Sequence, residues 1–264
     1  MVFALSLAMT ANSFSIPSPQ PRHQGCDERK ISAVSTEENP FWDVSHVDAS
    51  HVQPSKKLIA LTFDDSPSKT LSAILSTFQK FNIQHPDCPA SATLFCNGKH
   101  IYSATMPTLK AAHAAQFELG NHTQNHQKLT ELPLELLHRE IRETDRLLEK
   151  VDGNALHLLR APYGDVNDAV KAAAKTPIID WLIDTKDWTG ISAEDIYETV
   201  FTQKSDGAIV LMHDGYDNTV TALERLLPAL YHAGYQAVSV SQMAKIHRCT
   251  LKIGKVYIRA RKIA

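Results

Sequence analysis

Segments with strand character and segments with helical character alternate along most of this chain, and the alternation limits the folds that it can adopt. The strand-like segments are short apolar runs that end at turn residues, and the helical segments repeat apolar residues every three or four positions. Strands that alternate with helices in this way form parallel sheets with right-handed connections. The pattern therefore predicts an α/β protein whose parallel strands close, or nearly close, into a barrel.

Almost every predicted strand is followed at once by polar residues, which would converge on the rim at the C-terminal ends of the strands. In the longest helix we expect an inward-facing set of Leu136, Leu137, Ile141, Leu147 and Leu148. The predicted strands are residues 58–63, 92–96, 117–119, 156–159, 177–183, 207–212 and 236–240, with an edge segment at 251–258. The predicted helices are residues 68–81, 105–115, 133–151, 166–175, 192–204 and 219–233.

The length and composition fit one large domain with a substantial core. The chain has 264 residues, of which 43% are hydrophobic. Its net charge of −2 shows no excess of basic residues of the kind that nucleic-acid-binding proteins carry. We divide the chain into a candidate signal peptide with a Pro-rich linker (1–25), an irregular extension (26–56), the main domain (57–248) and a C-terminal edge segment (249–264).

The N-terminus and the cysteines bear on the compartment. Residues 1–16 are uncharged and mostly apolar, too short for a membrane span, and fit either a secretory signal peptide without its positive region or a mis-started N-terminus. Cys26 and Cys249 bracket the main domain and could form a disulfide in an oxidising compartment. Cys96 fits a buried free thiol equally well. We expect a secreted or cell-envelope protein with no membrane span.

Two adjacent carboxylates, Asp64 and Asp65, end the first predicted strand. Acidic residues at the C-terminal end of a buried parallel strand lie where barrel enzymes carry their chemistry. Neighbouring side chains on a strand point to opposite faces, so both can serve one site only if the chain turns, as Ser66 and Pro67 allow. An ordinary acidic pair at a surface turn is the alternative.

His122 and His126 are four residues apart and can bind one metal ion from the same face of a helical turn. A carboxylate would complete a site with open positions for water and substrate, and Asp65 is the natural candidate. Such a donor set suits Zn²⁺, while Co²⁺ or another divalent metal would also fit. Because the chain has 13 histidines, a chance pair is the alternative.

Three further polar clusters follow later strands. Residues 160–164 supply Arg160 beside a tight turn, residues 184–188 supply two acids and an aromatic side chain, and residues 211–213 end in a histidine. Each cluster alone is weak evidence for a functional site, and a structural ion pair is the alternative role for Arg160.

Taken together and in order, these stretches resemble the polysaccharide deacetylases of carbohydrate esterase family four, the NodB homology domain. The matching segments are Thr62–Asp65, His122–His126, Arg160–Gly164, Asp184–Trp188 and Leu211–His213, within residues 57–245. The resemblance implies a distorted barrel of seven or eight βα units with a metal site on its rim. It also implies metal-dependent removal of acetyl groups from N-acetylated, and sometimes O-acetylated, sugars.

The resemblance also implies a role for each site residue. Asp64 matches the general base and Arg160 the residue that positions it. His213 matches the general acid and Asp187 the carboxylate that orients it. The remaining positions match metal ligands (Asp65, His122, His126), walls of an acetyl pocket (Trp188, Leu211) and a backbone N–H donor to the oxyanion (Tyr163).

Three positions depart from the family pattern. Ser66 replaces the usual glycine after the acidic pair, which bears on the geometry of that turn. Gln124 and Gln127 replace an aromatic residue and a proline, which bears on the substrate groove.

We expect a monomeric, metal-dependent enzyme that removes N-acetyl groups from an N-acetylglucosamine polysaccharide: chitin, chitooligosaccharide or peptidoglycan. The alternatives are a glycan-binding relative with weak or no catalysis, and a hydrolase of the same fold that acts on another amide or on an O-acetylated glycan.

Overall fold

Helices and strands alternate through most of the computed structural model, which describes residues 40–261. The strands are β1 (Lys57–Ser66), β2 (Thr93–Cys96), β3 (Glu118–Asn121), β4 (Ile178–Ile179), β5 (Ile183–Asp184), β6 (Ala208–His213), β7 (Tyr235–Val238) and β8 (Val256–Tyr257). The helices are α1 (Leu71–Gln84), α2 (Met106–Ala114), α3 (Leu134–Asp152), α4 (Asp168–Ala173), α5 (Ala193–Gln203), α6 (Asp217–His232) and α7 (Val240–Ile246).

The strands form a nearly closed ring of parallel pairs, which confirms the predicted distorted barrel. The main sheet has the order β3-β2-β1-β6-β5, with β7 also paired to β1. Single bridges from Asn121 to Leu159 and from Leu159 to Ile178 continue the ring from β3 to β4. Strand β8 pairs with β4, and Arg259 makes an antiparallel bridge to Ala208 at the start of β6. The C-terminal segment thus links β4 to β6 through one isolated bridge.

Strand β1 lies at the centre of the sheet, and both of its faces are therefore buried, as expected for a parallel strand. Alternate residues face two separate cores. Ile59, Leu61 and Phe63 pack against the first core, under the surrounding helices. Leu58 and Ala60 belong to a second core with residues of β2, β6 and β7.

Several predicted elements were wrong in detail. Residues 156–159 form no strand, since only Leu159 makes bridges. The predicted strand 177–183 is split into β4 and β5, because Asp180 donates its N–H to Tyr257 whereas Leu182 donates to Ile209. The predicted strand 236–240 ends early because Ser239 caps helix α7 in a reciprocal capping box with Gln242.

The predicted inward face of the longest helix was wrong at one position. Leu137 and Leu148 are buried, and Ile141 and Leu147 pack against the core, but Leu136 is 44% exposed. The buried stripe of α3 runs through Leu137, Glu140, Thr144, Asp145 and Leu148, and Leu136 lies beside it.

The terminal predictions have mixed outcomes. Residues 40–56 contain no helix or strand, and β8 is the only strand in the predicted edge segment 251–258. Cys96 is a buried free thiol. Cys249 has no disulfide partner within residues 40–261, and Cys26 lies with residues 1–25 outside them, so the Cys26–Cys249 disulfide stays a prediction. Between residues 40 and 261, no helix has the length and apolar character needed to cross a membrane.

A buried ionic cluster connects α3 to the segment that precedes Arg160. His157 Nδ1 lies 3.0 Å from Asp145 Oδ1, and His157 Nε2 lies 3.2 Å from Asp152 Oδ2. Asn121 Nδ2 donates to Asp145 Oδ1 at 2.9 Å, which links the cluster to the end of β3. Burial alone would lower the pKa of His157, but the hydrogen bonds that its ring donates to the two carboxylates outweigh it and raise the pKa to about 9.

We expect His157 to stabilise the fold in a pH-dependent way. Because its folded pKa is raised, the stabilisation is complete below about pH 6.5 and is lost as the pH rises through about 9. Replacing His157 with glutamine leaves two buried carboxylates without a cation. The cost is about 3 kcal/mol, or a melting temperature about 6–12 °C lower.

Thermal denaturation between pH 6 and pH 10 measures this effect. His113→Gln is the control, because His113 is an exposed histidine on α2. Equal stability of His157→Gln and the parent protein at pH 6 would contradict the prediction.

Candidate metal centre and active site

The register of the parallel strands brings the predicted site residues to one rim. Asp64 on β1 pairs directly with His213 on β6. Asn121 on β3 lies between Cys96 and Leu159, so the residues that follow, His122 and Arg160, are neighbours across the rim. The carboxyl ends of five strands and of one bridged segment therefore meet at a single site.

A backbone turn lets the two adjacent carboxylates serve this site together. Asp64 continues the alternation of β1 and lies on the face of Leu58 and Ala60. Asp65 adopts φ 63°, in the left-handed region, so the chain turns one residue earlier than Ser66. The pairing of β1 with β2 shifts register at this point, between Phe63 and Ser66.

Asp65, His122 and His126 form a candidate metal centre. Their ligand atoms all lie within 4.8 Å of one another, and no other such cluster of three occurs within residues 40–261. His126 Nε2 is 3.7 Å from Asp65 Oδ1. Burial and the nearby His122 lower the pKa of His126, which favours the neutral imidazole that a metal requires.

The surrounding hydrogen bonds fit a metal ion. His122 Nδ1 lies 2.8 Å from the Arg160 carbonyl oxygen, which leaves Nε2 available as the ligand atom. Asn97 Nδ2 donates to Asp65 Oδ1 at 2.8 Å, and His100 Nδ1 lies 3.3 Å from the Asp65 carbonyl oxygen. The sequence analysis missed Asn97 and His100, although they follow β2 just as the other site residues follow their strands.

Asp64 forms a buried ion pair with Arg160. Arg160 Nη1 donates to Asp64 Oδ1 and to Thr62 Oγ1, both at 2.7 Å, and its guanidinium lies over the Phe95 ring. Burial alone would raise the pKa of Asp64, but the charges of Arg160, His122 and His213 outweigh it and lower the pKa. Asp64 is therefore an ionised carboxylate, able to accept a proton.

Asp187 and His213 form the second acid–base pair. His213 Nδ1 lies 2.8 Å from Asp187 Oδ1, and the backbone N–H of His213 and the hydroxyl of Thr219 both donate to Asp187 Oδ2. Burial alone would lower the pKa of His213, but the Asp187 hydrogen bond and the charge of Asp64 outweigh it and raise the pKa. His213 therefore stays protonated to a higher pH, as a general acid requires.

The three remaining predicted residues differ in exposure. Tyr163 is 68% exposed, and its ring packs edge-on to His126 at 4.8 Å. Its φ of 64° turns the backbone, and its N–H donates to no other residue in the part of the chain that the structure describes. Trp188 is 54% exposed on the rim, whereas Leu211 is buried in β6. Their predicted roles stay predictions.

Ser66, in place of the usual glycine, is accommodated by Asp214. Its hydroxyl donates to Asp214 Oδ2 at 3.3 Å, and the same carboxylate accepts from the Ser68 N–H at 2.7 Å and the Thr70 hydroxyl at 2.6 Å. Asp214 thus anchors the loop that follows the two site carboxylates, beside His213.

The rim defines a hydrolase-type site with a candidate metal centre between two acid–base pairs. The sequence model of the polysaccharide deacetylase family matches residues 51–178. A peptidoglycan-N-acetylglucosamine deacetylase of Bacillus cereus is 34% identical over 206 residues, which are 74% of this chain and 91% of that protein. The chain belongs to the polysaccharide deacetylase family, whose members use a divalent metal ion.

Other relatives extend the comparison. The peptidoglycan-N-acetylmuramic acid deacetylase PdaC of Bacillus subtilis is 30% identical over 86% of this chain, although the match spans only 47% of that protein. This chain thus spans about half the length of the first curated relatives that it matches. The solved structure of PdaC has a TM-score of 0.68 at 32% identity, covering 75% of this chain and 94% of that one. A T48 deacetylase solved with substrate has a TM-score of 0.71 at 29% identity, covering 80% and 99%.

We expect one divalent ion to bind per chain at Asp65, His122 and His126. Replacing His126 with alanine removes one of three ligands and should weaken binding by more than about 100-fold, since even outer partners of ligands contribute 10–100-fold. Calorimetric titration and elemental analysis measure this change, with His113→Ala as the control. Unchanged affinity in His126→Ala would overturn the assignment.

The raised pKa of His213 gives a second prediction. Asp187→Asn removes the carboxylate that holds the proton on His213, so the alkaline limb of the pH–kcat/KM profile should move to lower pH. We expect kcat to fall by about 100-fold or more. Asp184→Asn, in the same segment, is the control, and an unshifted alkaline limb in Asp187→Asn would refute the pairing.

Proposed function

We propose that this protein hydrolyses N-acetyl groups of an N-acetylglucosamine polysaccharide and releases acetate. The carrying observation is the placement of the Asp64–Arg160 and Asp187–His213 pairs on one rim, beside the candidate ligands Asp65, His122 and His126. Amide hydrolysis needs an activated water, a stabilised oxyanion and a protonated leaving amine, and these residues can meet all three needs.

Each residue has a defined task in the proposed reaction. Asp65, His122 and His126 would hold a divalent ion, whose Lewis acidity would polarise the acetyl carbonyl and lower the pKa of bound water. Asp64, oriented by Arg160, takes the proton of the attacking water. The free N–H of Tyr163 donates to the oxyanion, His213 protonates the leaving amine, and Trp188 and Leu211 bound the acetyl methyl group.

The relatives support a cell-wall glycan as the substrate. The names of the Bacillus cereus and Bacillus subtilis proteins state that they deacetylate peptidoglycan. We propose the same class of substrate here, with chitin and chitooligosaccharides as further candidates. We also propose Zn²⁺ as the metal, a secreted or cell-envelope location, a monomer, and a catalytic domain at residues 57–248.

The two adjacent carboxylates should respond differently to amide substitution. Asp64→Asn should keep the metal but lose the base, lowering kcat by about 10²–10⁴-fold with no rescue by added metal. Asp65→Asn should weaken metal binding, with activity partly restored by excess metal. Acetate release during a metal titration of both variants distinguishes the two roles.

The reverse result, metal lost from Asp64→Asn and retained by Asp65→Asn, would exchange the assignments. Full acetate release by the metal-free parent protein would overturn the role of the metal, whereas no acetate release by the metal-loaded parent protein would overturn the proposed function itself.

A further inference from the structure

A cleft of about 550 Å³ lies between helix α3 and the loop that carries His126. The loop side is formed by Gln124, Asn125 and Gln127, which include both neighbours of His126 in the chain. The cleft therefore lies next to the segment that supplies the candidate ligand His126. Gln124 and Gln127 are also two of the three positions where the sequence departs from the family pattern.

The helix side of the cleft carries three cations. Arg139, Arg146 and Lys150 are spaced by seven and four residues, so they share one exposed face of α3. Arg146 forms an ion pair with Glu143 at 3.0 Å. Within residues 40–261, the side chains of Arg139 and Lys150 form no ion pair or hydrogen bond. The cleft thus presents two cationic groups without a protein partner.

The carboxylates of the cleft do not cancel these charges. Glu140 is buried and accepts hydrogen bonds from the Asn125 backbone N–H at 2.7 Å and from its side-chain Nδ2 at 2.6 Å. Glu143 is occupied by Arg146. Glu140 therefore ties the helix to the loop, and Glu143 is paired within the helix. The three cations of the lining outnumber its two acids, although the whole chain has a net charge of −2.

The remaining lining limits the chemistry of the occupant. Gln127 offers an exposed side-chain amide, and Leu136, at 44% exposure, offers one apolar surface. Leu136 and the half-buried Leu147 give too little apolar area for a lipid surface, and two free cations are too few to retain a nucleic acid. A sugar or peptide that carries carboxylates is complementary to this lining, because it can bind the amides, the isolated cations and the small apolar surface of the cleft.

We propose that this cleft binds the carboxylate-bearing lactyl–peptide substituents of a peptidoglycan strand whose N-acetylated sugar lies at the metal centre. This inference rests on the proposed deacetylase function and specifies its substrate: an anionic glycan is preferred over a neutral one. Exposed ion pairs each contribute about two- to five-fold in affinity. Two of them give a preference of about ten-fold, which salt weakens.

The test compares matched substrates and matched variants. The substrates are peptidoglycan fragments with free stem carboxylates, the same fragments with those carboxylates amidated, and N-acetylglucosamine oligomers of equal sugar number. The variants are Arg139→Gln, Lys150→Gln and the double variant. Lys110→Gln is the control, because Lys110 is an exposed cation on α2 outside the cleft. The readouts are kcat/KM for acetate release and Kd from calorimetry, each at two salt concentrations.

On the carboxylated fragments, we expect the double variant to have a kcat/KM about ten-fold lower and a Kd about ten-fold higher than the parent protein. On the two neutral substrates, we expect both quantities to change by less than about two-fold. Lys110→Gln should match the parent protein, and added salt should reduce the advantage of the carboxylated fragments only in the parent. An equal loss on all three substrates would overturn the proposal, and so would no loss on any.

Failure of the proposed function has a different signature. A parent protein that releases acetate from none of the three substrates lacks the deacetylase activity, whatever the cleft does. The Kd values then still decide the binding proposal, which requires that the carboxylated fragment binds more tightly than its amidated form. Equal Kd values for these two fragments would overturn it.

Discussion

The buried ion pair between Asp64 and Arg160 is the interaction on which the rest of the site depends. A lone carboxylate or guanidinium in this interior would be strongly destabilising, so each requires the other. Arg160 also fixes its surroundings: its carbonyl oxygen orients His122, and its side chain reaches Thr62 and the Ile179 carbonyl. One residue thus holds the proposed base Asp64, the candidate ligand His122 and the wall of the barrel.

Parallel topology explains why residues far apart in the sequence meet here. Strand β1 pairs with β2, β6 and β7, so the ends of the neighbouring strands follow from its position. Residues that follow the strands fix the position of the site carboxylates. Asp214 anchors the loop after β1, and Asp187 is fixed by Thr219 at the start of α6. The helices contribute polar supports as well as a hydrophobic cover.

Much of this arrangement was predictable from the sequence, because apolar runs ending in polar residues mark both the strands and the rim. Local patterns failed where tertiary contacts decide. Residues 178–183 change hydrogen-bonding partner midway, and Ser239 starts a helix inside an apolar run. Asn97 was visible only as a turn residue, and its bond to Asp65 depends on the pairing of β1 with β2. Leu136 is exposed because the face of α3 that packs against the barrel runs through Leu137, and the periodicity of apolar residues does not show which of two adjacent leucines lies on that face.

The left-handed backbone at Asp65 restricts which ligands can evolve or be engineered at this position. Among residues that can bind a metal through oxygen, aspartate and asparagine tolerate this conformation best, while longer side chains meet a steric cost. A glutamate here would have to strain the turn before its carboxylate came close to His122 and His126. The backbone conformation at residue 65 therefore favours a short carboxylate in the candidate metal centre.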